Sequence, residues 1–187
     1  IIYTPKKILI NKNTHQAHYM IGNRAYNLHE EKKRLPMWLL NNILGGSGMN
    51  SSLNLALRER NGLVYNVESN FTSYSDTGIW NIYFGCDEKN LNRCEKLVNN
   101  ELTKFKEKKI SETQLQKSKK QIIGEMLISS ENKENLILSI GKSFLHYNKV
   151  DSIEEIKEQI YEITSQEIQE TANEIFDNEK LTTLIYT

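Results

Sequence analysis

The stretch that decides the fold runs from Leu39 to Ser69, LLNNILGGSGMNSSLNLALRERNGLVYNVES. Its start continues an apolar period of helical spacing, Leu35, Trp38, Leu39, Asn42 and Ile43, with Pro36 tolerable in an opening turn. Gly45-Gly46-Ser47-Gly48 stops that helix. A second helix follows at once, opened by Asn50, Ser51 or Ser52 and carrying Leu53, Ala56 and Leu57 on one face. Asn61-Gly62 reads as a left-handed cap, and Leu63 to Ser73 as a strand with Leu63, Tyr65, Val67 and Phe71 on one face.

Working outward, Ser75-Asp76-Thr77-Gly78 predicts a hairpin turn, with Trp80, Ile82, Phe84 and Cys86 sharing a face of the returning strand. Upstream, Lys7 to Asn11 and His15 to Arg24 read as strands joined by a turn at Asn11 to Asn13. Downstream nearly everything is helical. Leu91, Cys94, Val98, Leu102 and Phe105 form a stripe, and Leu136, Ile137, Ile140, Phe144 and Leu145 form another within Glu131 to Tyr147. Capping boxes stand at Ser111 with Gln114, Ser152 with Glu155, and Thr164 with Glu167. Leu181 to Tyr186 closes the chain as a strand. Such blocks predict an α+β fold, an antiparallel or mixed sheet covered by helices with a helix-rich second half, rather than a doubly wound parallel sheet.

At 187 residues the chain is long enough for about one domain of roughly 150 residues. With 38% hydrophobic and 26% charged residues it has the composition of a folded domain. Lys plus Arg and Asp plus Glu each number 24, which leaves no electrostatic footprint for nucleic acid or an anionic membrane. No run reaches the ~18 apolar residues of a membrane span. Ile1 to Lys7 reads like a linker tail, so residues 1–187 are expected to be one domain excised from a longer chain; the compartment stays open. Cys86 and Cys94 form no CxxC pair and read as small buried hydrophobes.

Little chemistry is written in the usual motifs. None of His15, His18, His29 and His146 belongs to HExxH or HxxEH, so no metal site is expected in this chain. There is no GxSxG elbow, and the Gly-rich segment lacks the Lys-Ser/Thr of a phosphate-binding loop. The charge runs Lys106 to Lys109 and Lys117 to Lys120 read as solvated helix faces.

The Gly-rich break, the Met49-Asn-Ser-Ser52 helix start and the run Leu57-Arg58-Glu-Arg-Asn-Gly62-Leu63-Val64-Tyr65 together resemble the carboxy-terminal domain of the pitrilysin family. These are inverted-zincin metallopeptidases that include the mitochondrial processing peptidase. Thr14-His-Gln-Ala-His18 is similar to that domain's opening strand. The resemblance implies two homologous halves around a chamber. The amino-terminal half, or a separate subunit, holds zinc through HxxEH and a distant Glu; the other half contributes an Arg and a Tyr seven residues apart. Here those are Arg58 and Tyr65. Since HxxEH is missing, the chain matches the second half only and is expected to be inactive alone. What is implied is the substrate-binding, transition-state-completing half of a zinc endopeptidase acting on unstructured peptides. The alternative is a silent scaffold subunit, as in the core of a respiratory complex. By the family's habit the peptide lies extended along a sheet edge of the zinc-bearing half.

The chemistry asked of that pair is reasonable. Attack on a peptide carbonyl builds charge on its oxygen, which a phenol O–H stabilises without ionising. A guanidinium holds a backbone carbonyl. The residues alone leave two alternatives open: Tyr65 as ordinary core, and Arg60 as competitor for Arg58, where spacing from Tyr65 favours Arg58. Gly45, Gly46, Ser47 and Gly48 read either as a tight connection or as a loop lining the chamber and yielding to substrate.

Overall fold

The computed structural model describes residues 3–12 and 15–187. Ile1 and Ile2 of the linker reading, Asn13 of the turn reading and Thr14 of the opening-strand reading lie outside the described residues. Five strands, β1 (Lys7–Ile10), β2 (Ala17–Ala25), β3 (Val64–Ser73), β4 (Gly78–Cys86) and β5 (Thr182–Tyr186), form one sheet in the order β1-β5-β2-β4-β3. β1 runs parallel to β5 and every other pair is antiparallel, so the sheet is mixed. The final strand thus inserts between the first two. A local reading of two consecutive strands joined by a short turn does not reveal that insertion.

Alternation explains which face is covered. Ala17, Tyr19, Ile21 and Asn23 of β2 and Trp80, Ile82, Phe84 and Cys86 of β4 are buried, while Met20, Arg24 and Ile79 between them are exposed. The helices α1 (Glu31–Gly45), α2 (Leu91–Glu107) and α6 (Ser165–Ile175) pack together over the buried face. Trp80 meets Phe176 with ring centroids 4.5 Å apart, and Tyr19 stacks on Phe84 at 4.8 Å. Cys86 and Cys94 are both buried, and the neighbouring Cys94 thiol together with burial pushes the Cys86 thiol up.

The remaining helices, α3 (Glu112–Glu131), α4 (Lys133–Tyr147) and α5 (Ile153–Glu162), fill the second half as expected. Both oxygens of the capping logic are in place at Ser152/Glu155 and Thr164/Glu167, whereas at Ser111 only the Ser side chain accepts, from Gln114 N–H.

Two readings need correction. Helix α1 begins at Glu31, so Pro36 sits beyond the opening turn and leaves the Lys32 carbonyl without its ladder donor. The charged turn Glu31 to Arg34 carries no apolar period because it is largely solvent-facing. The second departure concerns α4. Its apolar stripe is real, yet none of its residues is buried, and Ile137 and Leu145 are 68% and 84% exposed. A cleft of about 860 Å³ opens between α4 and the body of the domain, lined by Arg34, Trp38, Phe71, Ile140 and Tyr147 among others.

Candidate functional site

The site is built by one chain reversal. After α1, the Gly-rich segment leads into a short helix whose core, Asn54–Glu59, is π-helical: Arg60 N–H reaches the Leu55 carbonyl, five residues back, at 3.1 Å. The Asn61 side-chain amide donates to the Ala56 carbonyl at 2.7 Å, and Asn61 Oδ1 accepts from Arg93 at 2.6 Å. Gly62, at φ +59°, then ends the helix as a left-handed cap of the simple αL kind, widened by the π-helical turn before it. Its N–H bonds Arg58 O at 2.8 Å and Leu63 N–H bonds Leu57 O at 2.9 Å. Asn61-Gly62 is therefore the left-handed cap that the sequence predicts.

Beyond the cap, β3 opens with an irregularity. Val64 pairs with Cys86 and Val67 with Phe84, so β3 spans three steps where β4 spans two. The extra residue breaks the alternation read from the sequence. Leu63, Val64 and Val67 are buried, while Tyr65 is 90% exposed and does not share their face. The reading of Tyr65 as a member of the apolar face with Leu63, Val67 and Phe71 is thus corrected: the bulge turns the ring outward.

Arg58, in the last turn of the π-helical segment, is half exposed and has Glu59 as an ion-pair neighbour at 3.7 Å. It lines a crevice of about 280 Å³ together with Gly45, Gly46, Ser47 and Met49 and with Asn66 to Asn70 of β3. Three of the four residues of the Gly-rich loop and Arg58 are therefore brought together. Gly48 lies outside this lining, beside Asn50 and Gln121, and Tyr65 stands one residue before the stretch of β3 that forms the wall. Arg60 is exposed and does not line the crevice.

The walls are held by side-chain amides that sequence reasoning missed. Asn41 donates to the Ser69 carbonyl at 3.0 Å and accepts from Ser69 Oγ at 2.7 Å, and Trp80 Nε1 donates to the same hydroxyl at 2.9 Å. On the other side Asn42 and Gln121 donate to the two oxygens of Glu125, and Asn50 donates to Gln121. The signal for this was the polar pair Asn41-Asn42 inside the apolar run from Met37 to Leu44. At Gly45 a Cβ would come within 2.8 Å of the Ser69 backbone nitrogen, so this glycine permits the close approach of α1 to β3.

Among the described residues no group of three or more His, Cys, Asp or Glu is placed to hold a metal ion, so the residues present do not fit a zinc site. What the arrangement offers is hydrogen-bond donors: a phenol facing solvent and a half-exposed guanidinium in the lining of a crevice. None of its helices among the described residues is long and apolar enough to cross a membrane.

Comparison with known proteins agrees with this architecture. The chain is 29% identical over 180 residues to an uncharacterized zinc protease of Bacillus subtilis, covering 96% of this chain and 44% of that protein. It is 32% identical over 169 residues to an uncharacterized zinc protease of Rickettsia felis, covering 90% and 40%. The chain thus spans less than half the length of these curated relatives. Among solved structures, a peptidase M16 inactive domain from Pseudomonas fluorescens superposes with TM-score 0.86 at 20% identity, covering 98% of this chain and 43% of that one. A protease from Helicobacter pylori gives TM-score 0.86 at 17% identity, covering 97% and 44%. Residues 2–122 match the family model described as the peptidase M16 inactive domain, and the chain belongs to that family, the non-zinc domain of the pitrilysin-type peptidases.

Proposed function

We propose that this domain is the substrate-binding, transition-state-completing half of a zinc endopeptidase that acts on unstructured peptides. A homologous half, on the same chain or a separate subunit, supplies zinc. In this reading Tyr65 donates its phenolic proton as a hydrogen bond to the carbonyl oxygen that gains charge, and Arg58 grips a neighbouring backbone carbonyl of the peptide. The segment Gly45, Gly46, Ser47 and Gly48 borders the path of the peptide.

The observation that carries the proposal is the exposure of Tyr65, 90%, in a run of apolar residues. A large aromatic turned out of the core by a bulge contributes little to the stability of the domain. Its value lies in what it meets outside. Relatives named zinc proteases support the metal in the family.

The test uses this chain assembled with its zinc-bearing half and an unstructured peptide, with and without a chelator. Tyr65→Phe is expected to lower kcat by ~100-fold, the usual loss for one oxyanion donor. Arg58→Ala is expected to raise KM more than it lowers kcat. Unchanged turnover in the Phe variant overturns the role of Tyr65. Assembly without chelator-sensitive cleavage favours the silent-scaffold alternative.

A further inference from the structure

The cleft between α4 and the body of the domain takes no part in the site described above. Its volume, about 860 Å³, lies within the range of pockets that enclose small ligands, roughly 300–1,000 Å³. Leu35 and Trp38 of α1, Phe71 of β3 and Ile140 of α4 give it an apolar lining. Among them stand the hydroxyls of Ser129, Ser139 and Ser143. Such a mixture suits a ligand that is apolar in its side groups and polar along its frame.

Arg34 also lines this cleft, half-buried. Its Nη1 donates to the Tyr147 hydroxyl and, at 3.2 Å, to the Leu28 carbonyl, and the guanidinium lies over the Tyr147 ring, 5.6 Å from the centroid. These partners are a phenol, a ring and a carbonyl; no carboxylate is among them. They occupy one edge of the fork. The other edge, Nε with Nη2, is the one that holds a carboxylate side-on, and Nε is buried with no hydrogen-bond partner. A buried donor left without an acceptor costs stability until something supplies one. The acids of the lining do not. Glu125 accepts from Asn42 and Gln121, Asp151 pairs with Lys149, and Glu31 is exposed and makes no ion pair with Arg34.

We infer that this cleft binds the carboxyl terminus of a peptide: the terminal carboxylate takes the Nε–Nη2 edge of Arg34, and the apolar side chains before it fill the space along Leu35, Trp38, Phe71 and Ile140. This rests on the peptide-substrate reading above and adds to it an anchoring site away from the bond that is cut. The hydroxyls decide between two carboxylates of this shape. A fatty acid leaves Ser129, Ser139 and Ser143 against hydrocarbon, whereas peptide groups offer them partners. The position of the cleft suits an anchor. Phe71 to Ser73 line it, and Asn66 to Asn70, the preceding residues of β3, line the crevice that holds Arg58, so the two hollows follow one another along the strand.

The test is calorimetric titration of the 187-residue chain with acetyl-Ala-Leu-Phe-Leu, as the free acid and as the carboxamide. The acid is expected to bind about tenfold more tightly or better, the difference that a charge-assisted pair makes. In Arg34→Gln, whose folding a thermal melt checks, the two are expected to bind alike. Dodecanoate, a carboxylate without peptide groups, is expected to bind more weakly than the peptide acid. Equal binding of acid and carboxamide to the native chain overturns the inference, a result that depends on no variant. An undiminished preference for the acid in Arg34→Gln overturns it as well, and dodecanoate binding tighter than the peptide overturns the peptide as occupant. In the assembled enzyme, a substrate ending in a free carboxylate is expected to show a lower KM than its carboxamide at the same kcat. Equal KM values, alongside a turnover defect in Tyr65→Phe, remove the anchor and leave the catalytic reading standing. Preference of the chain for the acid without chelator-sensitive cleavage does the reverse.

Discussion

At the scale of single residues, Gly62 and Tyr65 show how two neighbours in sequence answer to different demands. Gly62 sits at φ +59° with open space where a Cβ would go, so strain rather than collision is what an alanine would meet. Gly62→Ala is expected to cost about 1 kcal/mol of stability, read as a lowered urea midpoint with an unchanged slope. Tyr65→Phe, by contrast, should leave the same curve where it is, since the ring is exposed. Lys119 adds a pH-dependent case. It is 2% exposed, its Nζ donates to the Tyr161 carbonyl near the end of α5 at 2.8 Å, and burial lowers its pKa below the ordinary lysine value. Between the lowered folded value and the ordinary one near 10.5, the unfolded chain binds more protons, so stability rises with pH in that window. Denaturation of the native chain and of Lys119→Met from neutral pH to about pH 10 should show the native chain gaining on the variant; parallel curves would remove Lys119 from that dependence.

At the scale of elements, what was legible in the sequence is what local chemistry dictates. The boxes at Ser152 and Thr164, the cap at Gly62 and the alternation of β4 all appear where their residues stand. Thr164→Ala is expected to cost about 1 kcal/mol, as α6 loses the acceptor for Glu167 N–H, whereas Ser111→Ala should cost less because its box is only half closed. Thermal melts of the two variants side by side check this. The features that escaped are those in which one residue is added to a regular ladder. The π-helical segment before Gly62 and the bulge after Val64 each insert a residue, and neither has a side-chain signature of its own. Together they place Arg58 at the crevice and Tyr65 in solvent, so the candidate site is where periodicity served least well. Its residues could be named from the motif, but their orientation could not. The insertion of β5 between β1 and β2 escaped for a different reason: it is a pairing across the whole chain, set by the closing of the sheet.

At the scale of the whole molecule, one face of the sheet is sealed by α1, α2 and α6, while α4, which packs on α3 and is hydrogen-bonded through Tyr147 to Arg34 and Leu28, leaves Ile137, Leu138, Phe144 and Leu145 exposed. A helix apolar on so many sides is ordinarily an interior helix. The chain alone is therefore expected to bind an apolar dye such as ANS while giving a cooperative melt, and Ile137→Glu with Leu145→Glu should abolish most of the dye signal without lowering Tm. A large fall in Tm would mean that these side chains support the fold after all. The wider consequence falls on supply inside the cell. Chaperones and degradative proteases recognise greasy surface on newly made chains, so a polypeptide in which this helix stays uncovered is expected to be cleared faster than one in which it is shielded.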